Sequence, residues 1–298
     1  MLDKFQKYKK MRFKASVINQ KMFLCIVQAL AKVDKTGIIR LEKKKILFLA
    51  KQTDGENIQV RATIPTKAIF SELRIQSKQK DEIVLEIQLK NLLDTLKTAT
   101  NALTIVTKLT KKHEVGYLSF EIKTQVAKGK ESSIVTIVKD VPIRVLLQEE
   151  TQIKLAEPNF STYSDNPLTI SLPKLKEMKS VVDNMKSTHN GNVEVSGSPT
   201  GQLRLVLNST LVSIRTIYKG LNVKSGVHSN TELYTAEITV KLKSLSRFLH
   251  SHNCNPTDVY CIFFDNQALV IDVNLDSGIQ DDEESKCYLT YYIAAVHE

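Results

Sequence analysis

Ten basic side chains recur at helical spacing and have the chemistry to hold phosphates: Lys21 and Lys32, Lys90 and Lys97, Lys174, Lys176, Lys179 and Lys186, then Lys243 and Arg247. A lysine ammonium is a compact charge that neutralises backbone phosphate without reading bases. Reactive alternatives are poorly supported. Gly129-Lys130-Glu131-Ser132 lacks the upstream glycine, and the hydroxyl directly after lysine, that a phosphate-binding loop requires. Gly197-Ser198-Pro199-Thr200-Gly201 places its serine wrongly for a nucleophile elbow. His250, His252 and Cys254 alternate near Cys261, but tetrahedral zinc takes four nitrogen or sulfur ligands in recognisable pairs. They read as a surface cluster at a helix end. The carboxylates form no acid–base pair, so no catalytic residue, metal or cofactor is expected and the chain reads as a non-enzyme.

The basic residues belong to four amphipathic runs that must position them. From Asn19, an apolar stripe of Phe23, Ile26, Val27 and Leu30 leaves Lys21, Gln28 and Lys32 outside. From Leu89, the stripe is Leu92, Leu93, Leu96 and Ala99, with Lys90, Asp94 and Lys97 outside. After Pro173, Leu175, Met178, Val181, Val182 and Met185 are set against Lys176, Lys179, Asp183 and Lys186. After Val240, Leu242, Leu245 and Leu249 are set against Lys243, Arg247 and His250. One basic face commonly serves solubility alone. Four of them, in a chain with 42 Lys and Arg against 32 Asp and Glu, make a basic stripe if they line one surface. Without a helix-turn-helix, zinc finger or aromatic-rich strand pair, that stripe reads as sequence-independent contact with double-stranded DNA.

At 298 residues the chain has room for two domains, and it repeats itself. Leu89-Lys90-Asn91-Leu92 returns as Leu242-Lys243-Ser244-Leu245, each after an alternating strand-like run, 82–89 and 235–240. The same offset carries the run from Asn19 onto Leu172. Further strands are expected at 36–41, 46–50, 58–64, 103–109, 115–122 and 134–138, then at 192–196, 203–207, 211–217, 259–264, 269–275 and 287–293. Asp54-Gly55 supplies a hairpin turn. The division is a basic extension at 1–10, a domain at 11–146, a connector at 147–167 and a second domain at 168–298. The connector, with Glu149, Glu150, Pro158 and Pro167, reads as ordered or semi-extended. Asp281 to Glu284 reads as a solvated acidic loop. Four cysteines without a paired spacing suit a reducing intracellular compartment, and no apolar run is long enough to span a membrane.

Several segments resemble, in order, the hydroxyurea-sensitivity (Hus) subunit family of the nine-one-one DNA-damage checkpoint clamp, relatives of proliferating-cell nuclear antigen. They are Met11-Arg12-Phe13-Lys14-Ala15, Leu96-Lys97-Thr98-Ala99, Lys108-Leu109-Thr110-Lys111-Lys112-His113, Asp140-Val141-Pro142-Ile143-Arg144-Val145, the run from Leu172 to Val182, and Asn255-Pro256-Thr257. The resemblance implies an α+β DNA-clamp fold: two pseudo-symmetric domains with outer antiparallel sheets and four inner basic helices. It further implies a heterotrimeric ring with Rad nine and Rad one type subunits, loaded onto DNA by an ATP-dependent clamp loader. Such a ring is a nuclear platform, with a cytoplasmic pool, for repair and signalling proteins. Its closing edge strands are expected at 115–123, with Val115, Tyr117, Leu118, Phe120 and Ile122, and at 211–218, with Leu211, Val212, Ile214 and Ile217. The polar, acidic connector departs from replicative clamps, where peptides dock beneath it. The alternatives are a homotrimeric replicative clamp and, further off, a DNA-processing enzyme.

Overall fold

The computed structural model describes residues 11–52, 57–77, 81–128, 131–158, 160, 167–225, 235–264, 266–278 and 286–296. The extension 1–10, the Asp54-Gly55 turn, Gly129-Lys130, Asn159, the stretch to Asn166 and the acidic run from Asp281 lie outside these residues.

The first half runs β1 (Arg12–Val17), α1 (Gln20–Val33), β2 (Thr36–Leu41), β3 (Lys45–Gln52), β4 (Ile58–Pro65), a one-turn α2 (Thr66–Ile69), β5 (Phe70–Gln76), β6 (Ile83–Gln88), α3 (Leu89–Thr98), β7 (Ala102–Lys112), β8 (Val115–Lys128) and β9 (Glu131–Val145). A short helix, α4 (Gln148–Lys154), opens the connector. The second half repeats the order as β10 (Thr169–Ser171), α5 (Leu175–Thr188), β11 (Asn192–Ser198), β12 (Gln202–Asn208), β13 (Ser213–Tyr218), β14 (Val223–Ser225), β15 (Ala236–Lys241), α6 (Leu242–Phe248), β16 (Asp258–Phe264), β17 (Ala268–Leu275) and β18 (Cys287–Ala294). Each strand and each long helix of one half therefore has a counterpart in the other, while α2 and the 3-10 segment that follows α6 have none among the described residues.

All four long amphipathic runs form helices, because each offers one continuous apolar stripe to the sheets. On α1 the Asn19 side chain accepts from the Met22 amide at 3.0 Å, satisfying an otherwise orphaned donor at the helix start. Met22, Phe23, Ile26, Val27, Ala29 and Leu30 are buried on one side. α6 does not continue as an α-helix through Leu249; a 3-10 segment, Leu249–Cys254, takes over and ends at Asn255 in the left-handed conformation. Gly37 on β2 permits the tight entry into α3: a Cβ there would sit 2.6 Å from Leu89 Cδ2.

Among the described residues the strands form one sheet of 14 and one of four, every pairing antiparallel. The large sheet crosses between halves at a single joint, where β18 pairs with β4 from Tyr288 opposite Thr63 to Ile293 opposite Ile58. The four-stranded sheet, in the order β13, β12, β11, β15, ends on β13. One hydrophobic core runs under both halves, from Phe13 to Ile293.

Four short strands had no counterpart in the sequence reading: β1, β5, β10 and β14. The proposed edge at 115–123 is also overturned. β8 is interior, flanked by β7 from Ala102 to Lys112 and by β9 from Gly116 onward. Leu118, Phe120 and Ile122 accordingly lie in the core. The reason is local: two consecutive hairpins fold β7 and β9 onto either side of β8, the first through His113 and Glu114 at positive φ. Besides the terminal strand β5, this half leaves an edge free on β9, which meets β6 only through Ile143–Val145.

Candidate nucleic-acid interface

The helices pack as a row. α3 lies against α1, α1 against α6 and its 3-10 extension, and these against α5. Their apolar faces rest on the common core, so their opposite faces form one layer surface. Lys21, Lys32, Lys90, Lys97, Lys174 and Lys176 stand exposed on or beside it. Lys174 is placed just before α5, at its cap position.

The other four predicted residues are half-buried, which corrects the reading of a uniformly free basic face. Lys179 pairs with Asp183 one turn along α5, and Asp183 also accepts from Ser246 of α6 at 3.3 Å. Lys179 thus faces the seam between the two helices, and Lys186 shares its partial burial. Arg247 donates to Gln52 Oε1 on β3, and Lys243 is likewise only partly exposed. His250 adds no positive charge at neutral pH. Burial first, then Lys32 and Lys179 nearby, push its imidazole down to about 4.

The residues considered for metal binding separate. His252 has Nδ1 2.8 Å from the Leu249 carbonyl, and Cys261 is buried on β16. A hydrogen bond with Cys25 and burial push the Cys254 thiol well up, away from the thiolate a metal needs. Among the described residues, no three His, Cys, Asp or Glu side chains converge in a metal-binding group. No helix among them is long and apolar enough to cross a membrane.

Two strand edges remain open in compatible form. β13 carries Ile214 and Ile217 on the rim of the four-stranded sheet, with Ile217 46% exposed. Leu211 and Val212 are not in that strand: they sit in the preceding turn, where Ser209 and Val212 hydrogen-bond each other's groups, and Leu211 is 92% exposed. On β9, Ile134 and Val138 are 68% and 60% exposed. By the internal repeat, β13 is the counterpart of β4 and β9 that of β18. Those counterparts pair with each other inside the chain.

The family described as Hus1-like protein matches residues 11–297. The chain belongs to this family. It is 28% identical to "Checkpoint protein HUS1" of Homo sapiens over 274 residues, covering 88% of this chain and 95% of the human protein. It is also 28% identical to "Checkpoint protein hus1" of Schizosaccharomyces pombe over 296 residues, covering 95% and 99%. Among solved structures, proliferating cellular nuclear antigen from Entamoeba histolytica superposes with a TM-score of 0.67 over 96% of this chain and 99% of that one. At 14% identity this likeness establishes the clamp fold.

Within that fold the connector is more structured than its sequence suggested. Leu146 and Leu155 bracket α4 and pack on Ile38, Leu47, Leu49 and Val84, forming a small second core on the sheet face turned away from the helices. Arg61 fixes the connector by donating to the Leu155 carbonyl at 3.1 Å and pairing with Glu157 at 3.2 Å. Glu86 on β6 receives Arg144 at 3.1 Å and also Lys154, so the Arg144 hydrogen bond holds its carboxyl below the ordinary range despite partial burial. Further on, Phe160 packs against Phe264 and Tyr292 at ring-centroid distances of 5.2 and 5.9 Å. Salt bridges and aromatic partners, neither with a periodic signal, supply the order.

Proposed function

We propose that this chain is one subunit of a heterotrimeric DNA-damage checkpoint clamp, a ring that encircles duplex DNA and serves as a nuclear platform for repair and signalling proteins. The observation carrying this reading is the equivalence of joints. β4 and β18 already join two halves edge to edge, and their counterparts β13 and β9 are left open, one in each half. Edges rich in isoleucine and valine are aggregation hazards unless a partner strand covers them. Adding a strand from a neighbouring subunit to each satisfies both. Three such subunits make a closed ring of six domains whose helix layers face inward, and the exposed lysines then meet phosphate from every side. Two distinct partners, of the Rad nine and Rad one types, and an ATP-dependent loader belong to this reading. The ring acts by encirclement and tethering, which raises the local concentration of client enzymes without any chemistry of its own.

The test is co-expression with both partner types, followed by mass determination and, with the ATP-dependent loader added, retention on circular against linear DNA. A one-to-one-to-one complex held on circles and lost from linear ends is expected. A closed homotrimer of this chain alone would replace the reading with the replicative type.

A further inference from the structure

A second basic surface lies away from the helix layer, on the exposed face of β5, β1 and β7. Arg74 on β5 is directly opposite Lys14 on β1, and Lys14 is directly opposite Lys108 on β7. All three are exposed, as is Arg12, two residues along β1. Their intervening neighbours Phe13, Ala15 and Ile75 are buried, so the cations share the face turned from the core. Strands lie ~4.8 Å apart, which makes a row of like charges about 10 Å long. The row continues through Ser119 to Asp140, but that carboxylate is already engaged by Lys112 at 2.5 Å and by Ser119 at 2.5 Å. Glu72, on the same strand as Arg74, accepts from Ser16 at 3.0 Å.

Like charges placed directly opposite on adjacent strands destabilise a sheet. Protecting an open edge explains a charge on the terminal strand β5, but not those on the two strands inside it. We propose that this row binds the phosphate backbone of duplex DNA at a site separate from the helix layer. Charge complementarity favours a polyanion. Arginine and lysine side chains are the usual phosphate contacts, whereas peptide docking calls for apolar anchors, and the apolar neighbours Phe13, Ala15 and Ile75 are buried on the opposite side, which favours phosphate over an acidic peptide.

The experiment measures binding of the full chain to a short linear duplex across salt concentrations, for the wild type, for K14T/R74T/K108T and for K14R/K108R. Each phosphate contact contributes ~0.9 to the slope of log affinity against log salt. The threonine variant should lose a slope of about 2.7, so the ratio of affinities between 50 and 200 mM salt falls about 40-fold. K14R/K108R keeps the charge and should keep the slope. Melting temperature should hold or rise in the threonine variant, since repulsion is relieved. An unchanged duplex slope overturns the proposal, as does an effect confined to single-stranded DNA or polyglutamate. A loss reproduced in K14R/K108R, or accompanied by a lowered melting temperature, assigns these residues to folding and also overturns it. The isolated chain suffices, so failure here is distinct from failure to form a ring.

Discussion

Replacing Ile134 and Val138 with serine tests the open edge of β9. Burying an isoleucine or valine side chain completely is worth ~1.5 to 3 kcal/mol. Ile134 is 68% exposed and Val138 60% exposed, so covering both by a neighbouring strand recovers only those fractions. Together they contribute about 2 to 4 kcal/mol to association, or roughly 30- to 600-fold in Kd. The isolated subunit should barely notice, because both side chains already face water, and its unfolding free energy should move by less than about 0.5 kcal/mol. The assay is titration of the variant with the separately purified partner subunit that engages β9, beside chemical denaturation of the variant alone. An unaltered Kd would remove β9 from the ring joint. A large loss of monomer stability would mean that β9 is covered from within the chain and that the open-edge argument is wrong.

Two predictions concern the fold. Glu86 has its carboxyl lowered by Arg144 and Lys154, so in the folded state it stays charged to lower pH than in the unfolded chain. The stabilisation it provides is complete above the unfolded value and is lost as pH falls through the folded one. Glu86→Gln should cost about 1 kcal/mol at neutral pH and flatten the decline in stability below about pH 4.5, as followed by urea unfolding at a series of pH values. Gly37→Ala would place its Cβ against the fully buried Leu89 at the entry to α3, and overpacking of this kind costs about 1 to 3 kcal/mol, measurable as a shift in denaturation midpoint.

The features legible in the sequence were those with a local signature. The stripe Leu92, Leu93, Leu96 forms α3, and the alternating run before it forms β6, because burial on one side fixes the period in both cases. The repeat was legible for the same reason. β10 and β14 span three residues each, too short for any period, and β5 is broken by Glu72 at positive φ. Edge position had no local signature either. β8 and β9 are neighbouring long strands that both carry valine and isoleucine, and it is the pairing of β9 with so little of β6 that marks it as the open one. On the helices, charge spacing identified the basic side but not its limits: Lys179 lies close enough to Asp183 and the α6 seam to be absorbed there.

The two open edges also bear on how the chain can assemble. β9 belongs to the first half and β13 to the second, so a joint between subunits that copies the internal one sets β9 of one against β13 of the next, head to tail. Such contacts either close into a ring or run on as a filament. Closure depends on the angle each joint imposes, and the chain contains one such joint in finished form between β4 and β18. A joint between subunits that repeats the internal one turns every domain by the same amount, so the curvature within one subunit carries round the assembly. Partners that differ from this chain can still close the ring, provided each presents the same pair of edges. Heterotrimer formation then requires only that the side chains along β9 and β13, among them Ile134, Val138, Ile214 and Ile217, fit a partner's edge better than their own.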